Sequence, residues 1–314
     1  MAESSTIPII CGPTGSGKTR IAVELAASFP IEVVSADSRQ IIKHLDIGTA
    51  KPTPEECNKV RFHLVDLIEP GELYSAYRFV DDACAALADI IGRNRIPVLV
   101  GGTGLYLRAL TDGVVEIDNE DTTIRNQLQD EMTRIGQQAM YDQLARVDPT
   151  EAAHLHPNNQ VRVIRALEIY RLTGQPKSEL LARAAHRKGD YSFEYLCLLP
   201  DRQELYAAID RRVDQMMAAG WLAELERLVD AGLGKAIREA RVIGYSELLR
   251  HLDGESTLEE AVDLIKQNSR RYAKRQYTWF RNKTSGCFFS SREELTSFWR
   301  ISFRREEANK NLFQ

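Results

Sequence analysis

IICGPTGSGKT, residues 9–19, runs an apolar stretch straight into a glycine-rich loop. Gly12, Gly17, Lys18 and Thr19 fill the pattern G-x-x-x-x-G-K-[ST]. Ile7, Ile9 and Ile10 predict a buried strand ahead of the loop. Ile21, Ala22, Leu25 and Ala26 predict a helix over 19–29 with one apolar face. Strand, loop and helix in that order make a phosphate-binding loop, whose backbone N–H groups surround a di- or triphosphate. Lys18 adds a point charge, and the Thr19 hydroxyl can ligate the Mg2+ that travels with phosphates. The chain therefore handles a phosphorylated small molecule.

Working outward, short strands are predicted at 31–36, at 64–65 and at 97–100, with an alanine-rich helix at 79–91 between the last two. This βαβ rhythm predicts a parallel sheet flanked by helices. Such sheets bind ligands at the carboxyl ends of their strands, which places Asp37, Asp66 and the glycines at 101–104 beside the phosphate loop. From about 115 to 186 the pattern turns helical, with helices predicted at 124–135, 137–147 and 161–172. A strand is predicted at 195–199, then helices at 203–219, 222–231 and 258–280. The residues after 285 show no clear periodicity. The expected organisation is a phosphate-loop α/β core over 1–115, a helical insertion over 116–190, and the core's continuation with basic helices over 191–314.

The 314 residues carry a formal charge of −4, so no global bias toward nucleic acid exists, although a local basic cleft is compatible with it. The five cysteines, Cys11, Cys57, Cys84, Cys197 and Cys287, lack C-x-x-C spacing and point neither to a zinc site nor to a disulfide framework. No stretch reads as a leader or a membrane span, and a reducing cytoplasm is the expected location.

Several residue groups could carry chemistry. Asp37 closes a buried-type strand within SADSRQ; a carboxylate there can take a proton from a nucleophile, or simply cap a turn. Asp66 fits the same description with fewer polar neighbours. VGGTGLY, residues 100–106, allows close backbone approach, and Thr103 could donate to a phosphate. Arg241 could clamp a diphosphate or lie on the surface. Between 266 and 283, Lys266, Arg270, Arg271, Lys274, Arg275, Arg281 and Lys283 interleave with Tyr272, Tyr277, Trp279 and Phe280. That stretch suits a polyanion surface with stacking platforms, or a solvated face whose aromatics enter the core. Arg162 and Arg165 share a helix face. These residues support a phosphate-loop enzyme acting on a nucleic acid, and leave open a small-molecule kinase or a non-enzymatic RNA-binding protein.

A more specific pattern emerges from the segments together. GPTGSGKT (12–19), SADSRQ (35–40), DIGTAKPT (46–53), HLVD (63–66), ELYSAYRF (72–79), PVLVGGTGLYLRAL (97–110), HPNNQVRVIRALEIY (156–170), IGYSEL (243–248) and YAKRQYTWFR (272–281) follow one another in an order that resembles the tRNA dimethylallyltransferases, bacterial type. The resemblance implies transfer of a dimethylallyl group from dimethylallyl diphosphate to N6 of adenosine 37 in the tRNA anticodon stem-loop. Its implied fold is a phosphate-loop core interrupted by a helical insertion.

By the same resemblance, Gly12, Thr14, Gly15, Ser16, Gly17, Lys18, Thr19 and Arg241 hold the diphosphate, with Mg2+ at Thr19. Asp37 is the general base, with Thr14, Lys18 and Arg241 also in the catalytic set. Asp37, Ser38, Arg39, Gln40, Thr103, Arg125, Arg162, Arg165, Gly244, Tyr245, Lys274, Arg275, Gln276 and Arg281 are implied to meet tRNA. A monomer suffices for this reaction. The chain departs from the family pattern at Arg61-Phe62, at Ile42 and at Val161. Plant relatives alkylate free adenine nucleotides instead; the insertion and the intact YAKRQYTWFR favour tRNA.

Overall fold

The structure, a computed structural model, describes residues 6–115, 123–184 and 191–312. The chain divides into two compact units, one formed by Met1–Leu107 with Asp190–Gln314 and the other by Arg108–Gly189.

The first unit is built on β1 (Thr6–Cys11), α1 (Lys18–Ala26), β2 (Ile31–Ser35), a short α2 (Pro54–Cys57), β3 (Phe62–His63), α3 (Ala76–Gly92), β4 (Ile96–Gly101) and the start of α4 (Gly104–Asp112). The second unit holds α5 (Thr123–Ile135), α6 (Gln137–Val147), α7 (Pro149–Ala153), α8 (Gln160–Thr173) and α9 (Lys177–Ala184). The chain then resumes the first unit with β5 (Ser192–Leu198), α10 (Arg202–Ala218), α11 (Trp221–Asp230), α12 (Gly234–Ala240), α13 (Tyr245–Leu252), α14 (Leu258–Lys283), β6 (Cys287–Phe289) and α15 (Arg292–Leu312).

The strands form one parallel sheet in the order β3-β2-β4-β1-β5-β6. Its centre is apolar on both faces: Ile9, Ile10, Val33, Val34, Val98 and Leu99 are buried. Parallel strands covered by helices on both sides require this composition. Helix α1 buries Ile21, Ala22 and Leu25 against Leu295 and Trp299 of α15. Helix α3 buries Phe79, Ala83, Leu87 and Ile90.

A second core gathers Trp221 and Leu225 of α11, Tyr245, Leu248 and Leu249 of α13, and Ala261 and Ile265 of α14. They pack beneath Ile41, Ile42 and Leu45, which follow β2. Ile42, a departure from the family pattern, is thus a core residue, bridged to Ile68.

Two expectations change. The strand expected at 64–65 is instead β3 at Phe62–His63. Leu64 and Asp66 take left-handed φ values of 60° and 57°, which leaves the ladder. Asp66 then ion-pairs with Lys51, whose ammonium also meets Asp46 at 2.7 Å, so this carboxylate fastens the 46–53 loop. Beyond 285, where no periodicity stood out, β6 closes the sheet edge and α15 packs on α1.

In the helical unit, Leu128, Met132, Met140, Leu144, Val163 and Leu167 form the core. Glu168 is buried there between Arg165 (2.8 Å) and Arg125 (3.1 Å). No strand occurs in this unit among the described residues. No described helix of the chain is long and apolar enough to cross a membrane.

One buried acid anchors the sheet. Glu32 on β2 receives both Arg93 at the end of α3 and the His63 ring at 2.7 Å. The Arg93 hydrogen bonds, with those of His63, hold its carboxyl down at about 2 against the opposing cost of burial. The unfolded chain binds the proton first, so this contribution is present above about 4.5 and is lost as pH falls through 2. Because Arg93 is partly exposed, screening reduces its worth to about 2 kcal/mol. Glu32→Gln should lower the urea midpoint at pH 7, and the gap to the parent should close steadily below pH 4.5 in paired unfolding curves.

Candidate active site

Three loops leave the carboxyl ends of neighbouring strands: 12–17 after β1, 36–40 after β2 and 102–103 after β4. Gly15 and Gly17 adopt φ of 81° and 95°, and these left-handed turns wrap the loop ahead of α1. Lys18 folds back so that Nζ donates to the Pro13 carbonyl at 2.7 Å. Burial lowers its ammonium to about 8, with neighbouring Asp37 opposing the shift and Arg212 adding to it. The Ser16 hydroxyl is buried without a hydrogen-bond partner, an acceptor or donor held ready for a ligand.

Beside the loop lies a cavity of about 320 Å³. Thr14, Asp37, Ser38, Arg39, Arg212, Arg241, Tyr272 and Arg275 supply its polar walls, and Ile209, Val213, Met216, Trp221 and Val242 its apolar ones. Asp37 accepts the Arg39 N–H at 2.9 Å, which fixes the carboxylate in a turn while leaving it on the cavity wall. The Thr103 hydroxyl accepts the Ser38 N–H at 3.0 Å and joins the loops after β2 and β4.

Arg212 is the residue that the sequence reading missed. It reaches Thr14 Oγ1 at 3.4 Å, and burial pushes its guanidinium pKa down while Asp37 opposes the shift. A signal existed: Arg212 sits between Ile209 and Val213 on the apolar stripe of α10, where an unpaired cation is out of place. Arg241 lines the same cavity but is exposed, at the left-handed end of α12 (φ 48°); the described guanidinium that meets the loop is that of Arg212.

Other expected contacts are spent within the fold. Gln276 is buried, accepting the Thr14 N–H and donating to the Gly102 carbonyl, both at 2.8 Å, so it is a joint and not a surface contact. The Thr14 amide is consequently committed, leaving its hydroxyl for a ligand. Tyr245 is buried as well; its hydroxyl bonds Glu224 and accepts the Gly48 N–H at 3.2 Å. Neighbouring Gly244 is buried and donates its N–H to Glu247 at 2.6 Å. Gln40 ties Ser35 to the Ala50 carbonyl. Arg125 and Arg165 are turned to Glu168, whereas Arg162 is exposed.

On α14, Lys266 and Arg270 pair with Asp214 (2.6 Å) and Asp210 (2.5 Å) of α10. Arg271, Lys274, Arg275 and Arg281 remain exposed at helical spacing. The interleaved aromatics are not a free stacking platform: Phe280 is fully buried, Tyr277 packs with Leu205 and Trp279 packs on Gly104.

Known proteins resemble this chain over most of its length. The model of the IPP transferase family matches residues 40–283, and that of the isopentenyl transferases matches 5–67. The chain belongs to the tRNA dimethylallyltransferase (IPP transferase) family. It is 49% identical over 278 residues to tRNA dimethylallyltransferase 1 of Pelobacter propionicus, covering 87% of this chain and 89% of that one. The tRNA isopentenylpyrophosphate transferase of Bacillus halodurans superposes with a TM-score of 0.68 at 40% identity, over 98% of this chain and 99% of that one. A eukaryotic dimethylallyltransferase acting on tRNA matches with a TM-score of 0.72 at 31% identity, over 88% of this chain and 70% of that one.

Among the described residues no cluster of three or more His, Cys, Asp or Glu could cage a metal. A magnesium ion bound chiefly by diphosphate oxygens and water needs few protein ligands, and the Thr19 hydroxyl at the start of α1 fits that donor set.

The low Lys18 pKa sets opposite pH trends for folding and binding. Between about 8 and 10.5 the unfolded chain holds a proton that the folded one has released, so stability of the free protein rises with pH there. Affinity for inorganic diphosphate, to which the ammonium would contribute, should fall over the same range. Calorimetric titration with inorganic diphosphate should show this fall, and Lys18→Met should remove it while sharing the ligand's own titration. Arg212→Gln should weaken diphosphate by roughly ten- to a hundredfold, the worth of a charge-assisted hydrogen bond.

Proposed function

We propose that this member of the family transfers the dimethylallyl group of dimethylallyl diphosphate to N6 of adenosine 37 in tRNA, giving i6A37 and diphosphate. The observation that carries this reading is one cavity in which Thr14 of the phosphate loop, the Asp37 carboxylate and an apolar wall meet. A diphosphate, an amine to be alkylated and a prenyl chain need those three surfaces.

The residues act as follows. As the allylic C1–O bond breaks, charge grows on the departing diphosphate. Lys18, Arg212, the Ser16 hydroxyl and the amides at 15–18 stabilise it, with Arg241 at the cavity mouth. The Thr19 hydroxyl would hold Mg2+, which would supply further neutralisation of the leaving group. N6 attacks C1, and Asp37 accepts the N6 proton as the C–N bond forms. An exocyclic amine is a weak acid, so the larger effect of Asp37 is to hold N6 in line with C1.

Ser38, Arg39 and Thr103 border the adenine's place, and Arg39 is itself steadied by the Ala240 carbonyl at 3.0 Å. The exposed cations Arg271, Lys274, Arg275 and Arg281 suit RNA phosphates, as does Arg162 on the helical unit. A loop nucleotide reaches the cavity at less unpairing cost than one from a duplex.

The test is incubation of the protein with dimethylallyl diphosphate, Mg2+ and an unmodified anticodon stem-loop carrying A36-A37-A38, followed by mass spectrometry. A dimethylallyl adduct on A37 is expected, absent when A37 is replaced by G. Asp37→Ala should slow it by roughly a hundredfold or more. An adduct on AMP but none on RNA would overturn the tRNA assignment, and consumption of ATP γ-phosphate without any adduct would indicate a kinase.

A further inference from the structure

The cavity has a direction. Ile209, Arg212, Val213 and Met216 lie on one face of α10, and all four line it. The first two stand at the phosphate loop: a side chain at Gly15 would press on Ile209, and Arg212 bonds Thr14. Met216 comes four residues later, about 6 Å further along the helix axis, and Trp221 follows at the start of α11. The cavity therefore passes from an anion-binding end to an apolar end. Val242, in the same apolar cluster as Val213 and Trp221, and Ile243 line it too, whereas the walls from Asp37 to Arg39 and at Arg241 and Arg275 are polar. A prenyl diphosphate seated at the loop has one apolar direction for its tail, along Val213 and Met216 toward Trp221.

Trp221 is a wall that cannot yield. Its side chain is 1% exposed. The ring fills a slot between Gly48 and Gly244, where any side chain on either glycine would overlap it. Tyr245 meets it edge-on, with centroids 5.5 Å apart and planes at 76°. Tyr245 is itself held by Glu224, which also accepts the Ile47 N–H at 3.0 Å. A thioether such as Met216 adapts its shape, whereas an indole clamped by two glycines and a tyrosine does not.

We propose that Trp221, with Met216 in front of it, closes the prenyl pocket and restricts the donor to a five-carbon chain. This rests on the function proposed above. A ten-carbon donor would have to displace the indole from its slot, so the selectivity comes from exclusion and not from weaker attraction.

The experiment compares kcat/KM for dimethylallyl and geranyl diphosphate, with the A36-A37-A38 stem-loop as acceptor, in the parent, Met216→Ala, Trp221→Phe and Trp221→Ala. The parent should favour the shorter donor by on the order of a hundredfold or more. Met216→Ala and Trp221→Ala should each shift the ratio toward geranyl by roughly tenfold or more, with Trp221→Phe between. Thermal unfolding identifies any variant that fails to fold; should Trp221→Ala fail, Met216→Ala and Trp221→Phe decide. A parent that uses both donors alike overturns the proposal. So does a set of folded variants that lose both activities in parallel, as a purely structural tryptophan would require. A parent inactive with dimethylallyl diphosphate itself overturns the functional reading, and this proposal with it.

Discussion

The amide of Gln276 is the joint on which the catalytic face depends. It accepts the Thr14 N–H from the loop after β1 and donates to the Gly102 carbonyl in the loop after β4. These strands are neighbours in the sheet, so one side chain ties both loops to α14. A carboxylate could not donate to Gly102, and an ammonium could not accept from Thr14; an amide meets both demands. With α14 fixed at this point, helical spacing does the rest. Tyr272 and Arg275, four residues and one residue earlier, line the cavity, while Arg271, Lys274 and Arg281 face outward. The same helix therefore contributes a wall to the reaction cavity and a basic outer face, and both are in register with the phosphate loop.

Above the apolar end, a second linkage governs the 46–53 loop. Glu224 and Tyr245 take the backbone N–H groups of Ile47 and Gly48, and Lys51 binds Asp46 and Asp66. Burial together with the Glu224 carboxylate raises the Tyr245 hydroxyl far above its ordinary pKa, so it stays a neutral hydrogen-bonding group at any working pH. Lys51 and Tyr245 were readable in the sequence only as members of DIGTAKPT and IGYSEL, and Glu224 lay in none of the quoted segments. Their common purpose, holding Gly48 against Trp221, depends on contacts between residues nearly two hundred positions apart.

The legible parts of the sequence were those with local causes. The phosphate loop announces itself because glycine spacing, lysine and hydroxyl must coincide within eight residues. Helices such as α3 and α6 show their apolar period directly, and β1, β2 and β4 are short segments rich in isoleucine and valine. Asp37 stands out as a carboxylate at a strand end beside that loop, and it lines the cavity there.

What escaped has non-local causes. Strand β3 is two residues long and ends where Leu64 turns left-handed, two residues before Asp66, whose carboxylate pairs with the distant Lys51. Gln276 and Tyr245 were implied to meet tRNA only by the family resemblance, and both are buried and bonded within the fold. Arg212 was passed over because a single arginine on a helix is ordinary until its stripe is seen to be apolar.

Arg212 and Lys18 together explain why the site is built for an anion. Both cations have their pKa values lowered by burial, which means that the folded protein holds them at a cost. Asp37 offsets part of it, yet Asp37 must remain open to the cavity if it is to meet an incoming amine. The Ser16 hydroxyl is likewise buried with nothing to bond. On the function proposed above, a diphosphate would satisfy all three groups at once and relieve the repulsion between the two cations, so the fold would gain stability from its ligand. The gain is greatest when the ligand's charge is greatest, which is after the allylic C–O bond has begun to break. Cations held in advance need no reorganisation at that moment, and the positive charge that the free protein holds at a cost would be the same charge that lowers the barrier.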